Sequence, residues 1–159
     1  MATGITAATA QAPAPLPGTP SQTLLRAYLD LQTKLAQDDQ AGAHTAFVRV
    51  QAASVDKGLA LDAALQKRLE GAANQGVAAS KIEPTRVAFG ALSEVVLAYL
   101  RTVDNPLSHT LVVAHCPMAF DNKGAKWLQL GDKLRNPYFG SEMLTCGSAE
   151  SSVKPGKKL

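Results

Sequence analysis

The stretch LVVAHCPMAFDNKGAKWLQLGDKLRNPYFGSEMLTCG, residues 111–147, decides how the chain is read. Before Pro106 the sequence is rich in Ala and Leu at helical spacing; after it the pattern changes. Leu111, Val112 and Val113 have strand composition and lead straight into HCPMAF. DNKG at 121–124 is a turn composition, and Ala125 to Leu130 return as a second short strand. The expectation is a small β-hairpin, followed by an ordered loop over 136–147 with Pro137, Gly140 and Gly147 as punctuation and one helical turn near 141–145. This stretch also gathers both cysteines (Cys116, Cys146), two of the three methionines (Met118, Met143) and the only tryptophan (Trp127).

Working outward, four amphipathic helices precede it. Thr19 offers a cap, Pro20 fits the first helical position, and Gln22 stands at capping-box spacing, so a helix is expected over 20–37 with Leu24, Leu25, Tyr28, Leu31 and Leu35 inward. Asp38 and Asp39 offer a cap for a second helix carrying Ala43, Ala46, Phe47 and Val50. A third, over 59–75, presents Leu61, Leu65 and Leu69 and frays in the Gly- and Ala-rich segment 71–80. Pro84 reopens a fourth, with Val87, Leu92, Val95, Val96 and Tyr99 on one face, ending before Asn105-Pro106. Short connections between such helices predict antiparallel neighbours. The expected fold is mainly α: an up-down four-helix bundle with a small C-terminal β-hairpin and loop carrying the Cys and Met residues.

The 159 residues, 46% of them hydrophobic, suffice for one domain, expected over 20–150. Residues 1–19 have the small, Pro-rich composition of a disordered leader or linker, and 151–159 that of a basic disordered tail. The formal net charge is +3, and Lys154, Lys157 and Lys158 supply much of it. That is too weak and too localised for a nucleic-acid partner. No run approaches the roughly eighteen apolar residues of a membrane span. The leader lacks the basic start and apolar core of a signal peptide, which leaves a cytosolic chain with a flexible start or an exported chain whose signal has been removed.

The chemistry lies in the sulfurs. Cys116 and Met118, two apart, share a face of an extended segment, and Met143 and Cys146, three apart, share a face of a helical turn. If the segments meet, two thiols and two thioethers converge, a set that selects Cu(I), and by extension Ag(I), over hard cations. His115 points the other way in an ideal strand, though a bend at Pro117 would bring it in as a fifth candidate ligand. Other readings stand beside this one. Two cysteines at this separation also suit a structural disulfide, which would leave no metal site, or unpaired core thiols. Zinc on His115, Cys116 and Cys146 would leave the methionines idle. Trp127, Tyr138 and Phe139 read as a hydrophobic anchor, and His44 and His109 as solvated. A Cys-His nucleophile lacks an orienting third group, and no phosphate loop or HExxH is present. The expectation is a protein that is not an enzyme.

The string HCPMAF...GAKWLQ...NPYFGSEMLTCG resembles the C-terminal signature of a bacterial family of periplasmic helical domains of undescribed function. Its members occur alone or fused to the C-terminal end of copper/silver efflux adaptor subunits of the CusB type. AYLDLQTKLAQDD at 27–39 and RVAFGALS at 86–93 are similar to that family's helix patterns, so the resemblance covers about residues 21–148. It implies export to the periplasm, a helical bundle and a role in copper handling, chaperoning or resistance. Cys116, Met118, Met143 and Cys146 are the family-pattern positions carried over. The partners it implies are a copper ion and a copper-efflux or other periplasmic or membrane protein. The alternative is a disulfide-stapled interaction domain that docks onto such a partner through the aromatic NPYFG loop and needs no metal.

Overall fold

The computed structural model describes residues 13, 14 and 16–159. Of the leader expected over 1–19, residues 1–12 and 15 lie outside the described residues. The element order is α1 (Pro20–Ala36), α2 (Gln40–Ser54), α3 (Ala63–Ala78), α4 (Ile82–Leu100), β1 (Leu111–Cys116), β2 (Ala125–Leu130) and β3 (Ser148–Val153), with short 3-10 turns at Lys57–Leu59 and Gly140–Met143 and a one-turn segment at Ala119–Asn122.

α1, α2 and α3 begin where short polar side chains satisfy free backbone N–H groups. At α1 the Thr19 hydroxyl accepts from the Gln22 amide while the Gln22 side chain accepts from the Thr19 amide. Asp39 caps α2 through the Gly42 amide, and Asp62 caps α3 through the Leu65 amide, both at 2.8 Å. The segment expected to fray after Gly71 stays helical to Ala78. A Cβ at Gly76 would lie 2.2 Å from the Phe47 ring, so glycine there lets α3 close on the buried Phe47 of α2.

The fold is not the expected four-helix bundle with an attached hairpin. The strands form a three-stranded antiparallel sheet in the order β2-β1-β3. Consecutive helices pack on one another, and α1 and α4 also pack on β2, so the sheet is a layer of the core. The register explains why. Leu111, Val113 and Leu128 share one face of the sheet and are buried, while Val112, Ala114, Cys116, Trp127 and Gln129 share the other and are buried too. A sheet apolar on both faces needs cover on both. The outer edge of β2 is closed by two hydroxyls: Tyr28 accepts from the Leu128 amide at 3.0 Å, and Tyr138 donates to the Lys126 carbonyl at 2.5 Å.

The third strand reaches into the segment expected as a disordered tail. Val153 is buried, the Asn105 amide donates to the Lys157 carbonyl at 2.8 Å, and the Leu159 amide donates to the Leu100 carbonyl at 2.9 Å. Buried Asn105 also donates through Nδ2 to the carbonyls of His109 and Val153 and accepts from the Leu107 amide, tying the α4–β1 connection to the chain end.

Candidate functional site

Cys116 is the last residue of β1, on the face shared with Ala114, and is fully buried. Cys146 immediately precedes Gly147 and β3 and is half-buried. Asn136 builds the connection that delivers Cys146. Its amide donates to the Leu144 carbonyl at 2.7 Å and its Nδ2 to the Cys146 carbonyl at 2.9 Å, while its Oδ1 accepts from the amides of Tyr138 and Phe139 at 2.8 and 3.2 Å. A fully buried side chain with its donor and acceptor both engaged thus folds residues 136–146 around itself. The Asn-Pro dipeptide marks a turn in the sequence, but nothing in it shows that this Asn is the hub.

Gly147 completes the approach. Its φ is +124°, and a Cβ there would lie 2.4 Å from the His115 carbonyl oxygen, so only glycine lets the chain pass this close to the end of β1. The Sγ atoms of Cys116 and Cys146 lie 3.4 Å apart, and both are free thiols. The hydrogen bond with Cys116, then burial, hold the Cys146 thiol above the usual thiol pKa.

The remaining expected ligands are placed differently. Met118 lies beyond the strand in helical backbone conformation (φ −89°, ψ −11°) and is 47% exposed, so it does not share an extended face with Cys116. Met143 ends the 3-10 turn and accepts the Cys146 amide on its carbonyl at 3.1 Å, with its side chain half-buried. His115 is on the other face of β1, its Nδ1 3.4 Å from Glu150 Oε1. Among the described residues no three His, Cys, Asp or Glu side chains gather in a way that could hold a metal ion. Tetrahedral zinc, which takes four ligands, is therefore a poor fit; the donors brought together are the two thiols.

The aromatic residues of the loop point inward. Tyr138 is buried, its ring 5.6 Å from Phe89, 5.2 Å from Phe120 and 6.0 Å from Trp127 between centroids. The Tyr138 ring is therefore not presented to a partner, and Phe139 is half-buried. A second cluster, which the sequence did not announce, locks the loop to the helices. Arg86 donates to the carbonyls of Pro137 and Leu35 and to Asp38 Oδ1 (2.6 Å), and Asp38 Oδ2 accepts from the Ser141 amide and hydroxyl. Those Ser141 bonds, reinforced by Arg86, hold the Asp38 carboxyl below the usual carboxylate pKa.

No family model, curated protein or solved structure matches this chain. No helix among the described residues is long and apolar enough to cross a membrane.

Proposed function

We propose that this chain is an exported, periplasmic soft-metal-binding protein that captures Cu(I), and Ag(I) in its place, on Cys116 and Cys146, and serves copper handling rather than catalysis. The observation that carries the reading is the free thiol pair at 3.4 Å, half-sheltered beneath the Asn136 loop. With metal–thiolate bonds of about 2.3 Å, sulfurs 3.4 Å apart would subtend roughly 95° at one ion, so capture in a near-linear two-thiolate arrangement requires them to part by roughly 1.2 Å. The resemblance of the CPM...NPYFG..ML.CG string supports the same chemistry. Met143, in the turn that carries Cys146, is the thioether best placed to assist; Met118 would have to swing inward. Both thiols must lose their protons to bind, and Cys146 is held protonated, so affinity falls steeply with acidity.

The test is an anaerobic Cu(I) titration against a chromogenic competitor, on protein whose thiols have been reduced and counted. One ion per chain is expected, lost in Cys116→Ser and weakened in Met143→Leu. No binding despite two reduced thiols would end the proposal.

One observation favours a second reading, a structural disulfide. The two sulfurs face each other across the seam between the end of β1 and the lead into β3, and closing from 3.4 Å to about 2.05 Å would staple that seam. A link between residues 30 apart stabilises by roughly 3 to 4 kcal/mol in the loop-entropy treatment. Thiol counting on protein recovered without reductant separates the two readings.

A further inference from the structure

On the His115 face of β1, two hollows adjoin. One, about 480 Å³, lies between the α3–α4 pair and the turn from β1 to β2 and is lined by Arg68, Arg101, His115, Lys123 and Lys126 among others. The second, about 350 Å³, is bounded by Val87, Gly90, Ala91 and Phe120. Glu94 and residues 123–126 line both, so they form one cleft with a basic half and an apolar half. Each volume falls in the range of small-molecule sites, about 300 to 1,000 Å³.

The charges of the basic half are only partly balanced. Arg68 pairs with Glu94 at 3.6 Å, and Lys126 with Glu150 at 2.6 Å. Among the described residues Arg101 and Lys123 have no ion-pair partner. The imidazole is held in place by its neighbours. The β1–β3 register passes from Val113↔Ser151 to Ala114↔Ala149, leaving Glu150 as a bulged residue. From that bulge Glu150 reaches His115 Nδ1 with one oxygen and Lys126 with the other. On the far side of the ring Gly124, at φ +79°, leaves the space beside Nε2 open, since a Cβ there would lie 2.7 Å from that atom. β-Bulges commonly re-aim a side chain beside a binding site. Phe120 of the cleft wall begins a run of unusual backbone that continues through Asp121 and Asn122, all left-handed with φ between 52° and 64°. Such strain persists mostly where function requires the shape.

We infer that this cleft binds a small amphiphilic carboxylate, its anionic head against Arg101, Lys123 and His115 Nε2 and its apolar tail along Val87, Ala91 and Phe120. Charge complementarity selects the head, and the adjoining apolar hollow selects the tail. Glu94, at the junction of the halves, opposes the head and is screened by Arg68. The site is separate from the thiol pair, because consecutive strand residues face opposite sides of the sheet.

The test uses the full chain with octanoate, with acetate and octyltrimethylammonium as comparators, followed by calorimetry and by NMR signals of the His115 ring. Octanoate is expected to shift the His115 and Phe120 ring signals and to bind about tenfold or more tighter than acetate, since a chain buried in the apolar half adds roughly the transfer energy of several methylenes. Arg101→Ala with Lys123→Ala, both at exposed positions, should weaken octanoate about tenfold, as loss of charge-assisted contacts does. Glu94→Gln should tighten it, and Cys116→Ser should leave it unchanged. Octanoate binding no tighter than acetate, equal binding of octyltrimethylammonium, or an unaltered affinity in the Arg101/Lys123 double variant would overturn the inference.

Discussion

His115 and Cys116 are neighbours in the chain and belong to different environments. Cys116 is sealed beneath the Asn136 loop with a thiol as its nearest functional partner, while His115 is partly exposed in a charged cleft against Glu150. The strand's alternation separates them, and each face acquires its own cover: a loop folded around Asn136 on one side, α4 with the charged cleft on the other. A motif that reads as one cluster of soft and basic ligands thus becomes two separate environments back to back. Each face should therefore respond to its own substitutions.

The largest effect is expected where the faces meet. Gly147→Ala would place a Cβ 2.4 Å from the His115 carbonyl and force a side chain into φ +124°. Backbone strain and displacement of the end of β1 together should cost about 3 kcal/mol, read by chemical denaturation. Both faces should suffer: the thiols should part, and the His115 ring signals should move. If only the thiols respond, the two faces are less coupled than the shared strand implies.

Asn136→Ala should cost somewhat less, about 2 to 3 kcal/mol, by leaving the Tyr138 and Phe139 amides and the Cys146 carbonyl without their partner. Here the effect should be one-sided. Cys146 should drift from Cys116 and its pKa fall towards that of an ordinary thiol, read from the pH dependence of alkylation, while the His115 signals hold. A smaller loss, about 1 kcal/mol, is expected for Tyr138→Phe, which removes one hydrogen bond from the β2 edge and keeps the ring packing.

Much of the helical layer was legible because its signals are local. The Thr19–Gln22 capping box, the Asp39 cap and the apolar spacing of α1 each depend on residues within a few positions. β2 was legible too, lying over Ala125–Leu130 as its composition suggests. β3 was not, for a physical reason. Ser148–Val153 is SAESSV, exposed at every residue but Val153, and an edge strand held by backbone hydrogen bonds needs no side-chain pattern. Missing it turned a sheet layer into a hairpin and a docked segment into a tail. In the site, spacing brings Cys116 and Cys146 together only if their segments meet, as they do, while the face it gives Met118 belongs to an extended strand that ends at Cys116. Asn136, Asp38 and Glu150 act through contacts distant in sequence, which spacing cannot express.

The smallest effects separate the carboxylates from the thiols by pH. Asp38 and Glu150 both have folded-state pKa values below their ordinary ones, through the Ser141 bonds in the first case and Lys126 in the second. Such groups contribute stability that is complete above the unfolded carboxylate value, near pH 4, and is lost as pH falls through the folded value. Both carboxylates are substantially exposed, so the gain is modest. Cys146 has the opposite sign. Its folded pKa is raised by the Cys116 hydrogen bond, so its contribution is complete below the unfolded thiol value, about pH 8.5, and is lost as pH rises through the folded one. Asp38→Asn or Glu150→Gln should therefore flatten the acid limb of the stability profile alone. Cys146→Ser should flatten the alkaline limb of the reduced protein alone, and oxidation to a disulfide should do the same by removing the titrating thiol. A carboxylate variant that also altered the alkaline limb would show its cluster coupled to the thiol pair, a result that would be less unexpected for Asp38, which holds the loop leading to Cys146, than for Glu150 on the opposite face.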